Sequence, residues 1–248
     1  MKFNDCGIII SLKKYGENSL IVKVFSQHHG IYSGFVKSVR SSKDKVNYQI
    51  GNLISFEYRS RIEENLGQFF AVDLIRSYCA KMMFDKLRLS CVNSLFSIID
   101  SVFLEREQQQ LLFEKLRDFL QKLSNEDISK KDFLADYVKL ELKILKTLGY
   151  AVDLSSCAVT QTTDDLVFVS PKSARAVSYE AGKPYQSKLL KLPSFLINDE
   201  EHDEDQLLEG LKLSGYFLEK FVFEEKNYSE KKQQFFHRDS IKNSLLKN

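Results

Sequence analysis

Four basic residues fall within nine positions, Lys37, Arg40, Lys43 and Lys45, opposed only by Asp44. Cations at this density neutralise phosphates, Arg through a bidentate fork and Lys as a mobile point charge. Arg59 and Arg61 stand next in line as supporting cations. Tyr15, Phe25, Tyr32, Phe35 and Tyr48 are interleaved with the basic run, and rings of this kind stack on bases. A solvated basic loop is an equal reading of the same run. Phe25 and Phe35 could stack on a ligand or fill a core, and the sequence leaves both open.

Bond-making chemistry has little support. The chain has no G-x-x-x-x-G-K-[ST], no G-x-G-x-x-G and no G-x-S-x-G. His28 and His29 share a turn, while His202 and His237 stand alone, and none lies at metal-ligand spacing with Cys or another His. His28-His29 reads as turn surface in reach of phosphate. Cys6, Cys79, Cys91 and Cys157 are scattered without a C-x-x-C, which is the usage of reduced thiols in a cytoplasm. The expectation is a chain that binds rather than reacts, with no catalytic residue, no cofactor and no bound metal.

The elements that must position these cations come first in the chain. Leu20, Val22 and Val24 alternate with Ile21, Lys23 and Phe25, the period of a two-faced strand. A turn at 27–30 ends on Gly30, and Gly34 within the next run predicts a bulge or bend. Strands are predicted near 7–14, 19–26, 31–39, 51–60 and 67–75. Five short strands with six of the ten glycines inside the first 67 residues predict a small Greek-key barrel of OB type. An SH3-like barrel would give nearly the same pattern.

No Gly or Pro occurs from 68 to 148, and this stretch reads as helix. Phe84, Leu87, Cys91, Leu95, Ile98 and Val102 form one stripe at spacings of three and four. Leu112, Leu116, Phe119 and Leu123 form a second. Phe133, Tyr137, Leu140, Ile144 and Leu148 form a third, with Ser129-x-x-Asp132 as a capping box and Gly149 as the stop. A small β-rich lobe is expected at about 150–200, where all three prolines lie. Leu208, Leu211, Gly215, Leu218 and Val222 then return as helix. The acidic run DEEHDED reads as a solvated loop before that helix, and the last 20 or so residues are expected to fray. The fold class is α+β, with a barrel domain over 1–80 and a helical domain over 81–248 that carries the inserted lobe. The stripes read as core, with room for a partner groove between helices, for which Leu111, Phe113 and Leu120 supply extra apolar surface.

Charge is unevenly spread. Residues 1–80 hold 11 Lys/Arg against 7 Asp/Glu, a net of +4 within a chain of net +2. The positive field therefore sits at the barrel end. No membrane-spanning segment and no secretory signal are visible, so a cytoplasmic protein is expected.

Gly7-Ile8-Ile9, Tyr15-Gly16-Glu17, Ile21-Val22, Phe25, His29-Gly30, Gly34-Phe35-Val36-Lys37, Arg40 and Gly51 occur in an order that resembles the N-terminal signature of the bacterial RecO family. The likeness continues through Leu148-Gly149-Tyr150, Asp153-Leu154, Cys157-Ala158 and Phe168-Val169-Ser170-Pro171-Lys172. The resemblance implies an OB-fold barrel, a helical domain and an inserted zinc-finger-like lobe. It implies a mediator of DNA repair and recombination, bacterial and nucleoid-associated. Such a protein binds single- and double-stranded DNA and anneals complementary strands. The partners implied are the C-terminal tail of the single-stranded-DNA-binding protein, RecR, and in some systems RecF, with RecA loaded onto coated single strands.

Two positions depart from the family pattern. Ser38 stands where members often have Gly. In the lobe many members carry two C-x-x-C pairs, whereas here Cys157 alone remains and Thr160 takes the next ligand position. A metal-free lobe is therefore expected. With the resemblance, the DNA contacts are expected at Lys37 and Arg40, supported by Lys43, Lys45, Arg59 and Arg61. A protein–protein adaptor and an RNA-binding OB-fold protein are the competing readings.

Overall fold

Strand periodicity over the first 77 residues closes into a ring. The computed structural model describes residues 1–37, 39, 42–62, 65–198, 202–223 and 228–246, with the side chains of 42–44 and 228–235 outside the description. The strands are β1 (Lys2–Tyr15), β2 (Ser19–Ser26), β3 (Gly30–Val36), β4 (Asn52–Arg59) and β5 (Gly67–Ser77). They form a closed barrel in the order β1-β2-β3-β5-β4, with β1 pairing both β2 and β4. The β3–β5 contact is parallel and the other pairings are antiparallel, the Greek-key closure expected of an OB-type barrel.

Alternation decides which side chains fill the ring. Val22 and Val24 of β2, Tyr32 and Val36 of β3, Ile54, Phe56 and Tyr58 of β4 and Phe69 of β5 form the core. Each large side chain so buried contributes about 1.5–3 kcal/mol. Tyr58 also satisfies its hydroxyl inside, donating to the Ser33 carbonyl (3.1 Å) and accepting from the Gly67 N–H (2.9 Å). Gly34 is not a bulge, since the β2–β3 register runs without a shift. It is glycine because a Cβ there would lie 2.8 Å from the Phe69 ring. The shift in β1 falls between Ile9 and Ser11 instead.

The C-terminal part of the basic segment after β3 is helical. It contains α1 (Ser42–Asn47), a helix of six residues. Beyond the barrel come α2 (Lys86–Val102) and α3 (Gln110–Leu123). Phe84 does not belong to the α2 stripe, because Asp85 caps the helix after it, accepting from the N–H groups of Leu87 and Arg88. Phe84 is left 92% exposed. On α3 burial is wider than one stripe, and Phe113 and Leu120 join Leu112, Leu116, Phe119 and Leu123 inside. Barrel, α2 and α3 together make one compact unit, Met1–Glu126, and Asp127–Asn248 makes the other. The barrel's last strand ends at Ser77.

The second unit is built on α4 (Lys130–Thr147). Its Ser129 cap accepts from the Asp132 N–H, and Gly149 stops it at φ +88°. The lobe follows as a three-stranded sheet of β6 (Leu166–Val169), β7 (Ala176–Ser178) and β8 (Leu190–Lys191), ordered β7-β6-β8, with a single turn α5 (Tyr179–Gly182). Next comes α6 (Glu204–Leu218), opened by a reciprocal Asp203–Gln206 capping box. So the acidic run ends as a helix start; its residues 199–201 lie outside the description.

The C-terminal segment is not frayed. It forms α7 (Tyr228–Leu246), with Arg238, Ile241 and Leu245 buried. The Arg238 Nε donates to Glu141 Oε1 at 2.9 Å, and Tyr137 and Ser214 hydroxyls donate to the same carboxylate at 2.6 and 2.5 Å. Removing one partner of such a pair costs about 3–5 kcal/mol, because a buried charge is left uncompensated.

Candidate nucleic-acid interface

The outward faces of β2 and β3 carry the residues that the core does not use. Across the strands the pairs are Phe25↔Ile31, Lys23↔Ser33 and Ile21↔Phe35. Phe25 and Ile31 are 0% and 2% exposed although they point out of the ring. The α3 helix covers this end, with the Phe113 ring edge-on to Phe25 at 5.7 Å. Lys23 is tied to Asp100 of α2 (2.5 Å), and Ser33 donates to Glu105 in the α2–α3 connection. At the other end Ile21 and Phe35 are half-buried, and Tyr15 is 57% exposed. Tyr15 meets Phe35 edge to face, centroids 5.1 Å apart.

Lysines surround this open end. Lys13 pairs with Ile21 across the β1–β2 ladder, and Lys37, exposed, follows Phe35 by two positions just past the end of β3. The row continues past Phe35 to Gln68 of β5 and from there to Arg59 of β4 and Lys2 of β1. Among the described residues no ion pair engages Lys13, Lys14 or Lys37.

The six expected DNA contacts fall out unevenly. Lys37 is exposed beside the open end, and Lys45 is exposed in the last turn of α1. Arg61 is exposed just after β4. Arg59 lies over the Phe70 ring at 4.5 Å and bonds Glu57, which also pairs Lys2 at 3.1 Å. The bond from Arg59 holds the Glu57 carboxyl at about 2, so the charge of Arg59 is already engaged by an ionised carboxylate. Arg40, the Lys43 side chain and Ser38 lie outside the described residues.

The five aromatics divide as well. Tyr32 is core, Tyr48 packs against the core, Phe25 lies under α3, and Tyr15 and Phe35 face outward. The sequence expectations do not include Lys13 or the Tyr15–Phe35 pairing. The signal was present: Phe35 has the parity of Lys37 and the opposite parity to Val36.

The His28-His29 turn is held rather than free. Asp5, its side chain 1% exposed, accepts from His28 Nδ1 (2.9 Å), His29 Nδ1 (2.7 Å) and the His28 N–H (3.0 Å). Burial would raise this carboxyl, but the bonds from His29, His28 and the Cys6 N–H outweigh it and hold it below the usual range. An ionised carboxylate only accepts, so each ring carries its proton on Nδ1, and in the neutral ring Nε2 is an acceptor.

In the lobe, Cys157 Sγ accepts from the Ser178 N–H (3.3 Å), the Ser178 hydroxyl (3.4 Å) and the Thr160 N–H (3.5 Å). Burial opposes ionisation there, yet the donated bonds outweigh it and bring the thiol to about 6. One sulfur among hydroxyls does not fit a zinc site, which needs four ligands of Cys, His or carboxylate type. Among the described residues no group of three His, Cys, Asp or Glu is placed to hold a metal ion. Of Leu111, Phe113 and Leu120, only Leu111 is exposed, so these three do not line a groove. A groove does run in the second unit between the small sheet and α6, lined by Phe168, Leu189, Leu190 and Leu213 with Lys191 and Lys212. Both lysines reach Glu209, at 3.9 and 2.9 Å. Among the described residues no helix is long and apolar enough to cross a membrane.

Two family models match the chain: "Recombination protein O N terminal" over residues 1–78 and "Recombination protein O C terminal" over residues 83–228. The DNA repair protein RecO of Rickettsia conorii (strain ATCC VR-613 / Malish 7) is 40% identical over 236 residues, 95% of this chain and 97% of that protein. The DNA repair proteins RecO of Rickettsia canadensis (strain McKiel) and Rickettsia typhi (strain ATCC VR-144 / Wilmington) are 39% and 38% identical over the same share of this chain. On this coverage, which takes in barrel, helices and lobe alike, the chain belongs to the recombination protein O (RecO) family.

Proposed function

We propose that this protein serves DNA repair as a recombination mediator that acts by binding and makes or breaks no bonds. The observation that carries the reading is identity of 40% to a DNA repair protein RecO over 95% of the chain. A closed barrel with an open, lysine-rimmed outer end supports it, since phosphates and bases are what such a face accepts. Single- and double-stranded DNA approach the positive barrel end and meet Lys37 and Arg40 first, with Lys43, Lys45, Arg59 and Arg61 in support. Two strands held by sequence-independent phosphate contacts are free to test their pairing, and this is how binding leads to annealing. With RecR, and RecF where present, the protein helps load RecA onto DNA coated by the single-stranded-DNA-binding protein. The acidic, apolar-ended tail of that coat protein fits the groove beside α6, where Lys191 and Lys212 would exchange Glu209 for its carboxylates.

The test is a titration of labelled single-stranded DNA, duplex and matched RNA at two salt concentrations. The proposal expects saturable binding of both DNA forms that weakens steeply with salt. An adaptor would bind none of them at low salt, and an RNA-binding protein would prefer RNA through its 2′-hydroxyls.

A further inference from the structure

The barrel face that α3 leaves open has a chemistry of its own, and this inference rests on the DNA-binding reading above. Its three apolar members are in register: Ile21 opposite Phe35, with Tyr15 edge-on to Phe35 at 5.1 Å. None is needed by the core, which Tyr32, Phe56, Tyr58 and Phe69 fill from the inside. A tyrosine 57% exposed and propped upright against a half-buried phenylalanine is a flat, oriented surface with a fixed backing. Lys13 flanks it on β1 and Lys37 just past the end of β3, two strand spacings across and two residues along, or roughly 12 Å apart between backbones. Glu17 in the β1–β2 turn is the nearest carboxylate in sequence, and it points to solvent. An apolar ring surface between two cations matches a nucleotide of a single strand, whose base has a free face and whose phosphates lie to either side. A duplex keeps its base faces covered and can use only the lysines.

We propose that Tyr15, backed by Phe35, is a base-stacking platform that makes this barrel favour single-stranded over duplex DNA. Lys13 and Lys37 hold the flanking phosphates, and they serve both forms of DNA alike. The ring contributes by stacking, so its loss lowers affinity without changing the number of released counterions.

The chain contains no tryptophan, so Tyr15→Trp installs a sole indole on the platform of the full-length protein. Titration with a single-stranded oligodeoxynucleotide is expected to quench that emission and saturate at the Kd read by anisotropy. Duplex of the same length is expected to bind without quenching. Tyr15→Ala is expected to weaken single-strand binding by about 5- to 150-fold, leave duplex binding within twofold, and keep the salt slope. Tyr15→Phe should restore the single-strand affinity, since stacking needs the ring and not the hydroxyl. Equal loss of both DNA forms in a Tyr15→Ala variant that melts like wild type would overturn the platform, as would an indole indifferent to single strands that bind. Absence of DNA binding by the wild-type protein would instead remove the reading on which the platform rests.

Discussion

Phe25 and Phe35 sit on neighbouring strands of one barrel and point the same way, out of the ring. Phe25 is 0% exposed under Phe113, while Phe35 is half-buried with the Tyr15 ring edge-on to it. The lysines differ in parallel: Lys23 is tied to Asp100, and Lys37 is exposed. One sheet face has thus been split into a half that holds helices and a half on which, among the described residues, no helix of this unit packs. Outward aromatics at the first half are structural, and on the proposed reading those at the second half are for binding.

Phe25→Ala is the largest expected break in that comparison. It leaves a cavity beneath α3 and should cost about 3–5 kcal/mol of stability, read by denaturant unfolding. Its single-strand affinity, measured on the folded fraction, should remain that of wild type. Asp5→Asn is next, acting at the turn that closes the covered end. It removes the charge that anchors both histidines and should cost about 1–3 kcal/mol near pH 7. Asp5 is held below its ordinary value when folded, so its contribution is present above that value and lost as pH falls through the lowered one. The gap between wild type and Asp5→Asn should therefore narrow below about pH 4 in acid-unfolding curves. Phe35→Ala comes third for stability. Half of a ring's burial is worth about 1 kcal/mol, and the expected loss falls on single-strand affinity instead.

Much of this was legible beforehand, for identifiable reasons. Leu20, Val22 and Val24 announce an inward face by alternation alone, and Gly149 announces a helix stop. The Lys37 parity also assigns Phe35 outward. What alternation cannot show is the cover: Phe25 has the parity of Phe35, and only the path of α3 separates their fates. Phe84 extends a helical spacing past the point where Asp85 caps the helix, so periodicity alone overran the element. Gly34 looked like a bulge because its reason, the Phe69 ring, lies on a strand 35 positions away. Arg238 made the C-terminal segment look solvated because its partner Glu141 is 97 residues distant.

The smallest change tests the central claim most directly, by setting Lys37→Ala against Lys23→Ala in salt titrations of single-strand and duplex binding. Neither should disturb folding much; a pair as open to water as Lys23–Asp100, its side chains 28% and 35% exposed, is worth about 1 kcal/mol. With DNA on the open half, Lys37→Ala lowers affinity for both forms. It also reduces the magnitude of the salt slope by about 0.7 for single strands and 0.9 for duplex. Lys23→Ala leaves slope and affinity unchanged. The opposite pattern, a slope lost with Lys23 and kept without Lys37, would place DNA on the half that the helices cover and contradict the account.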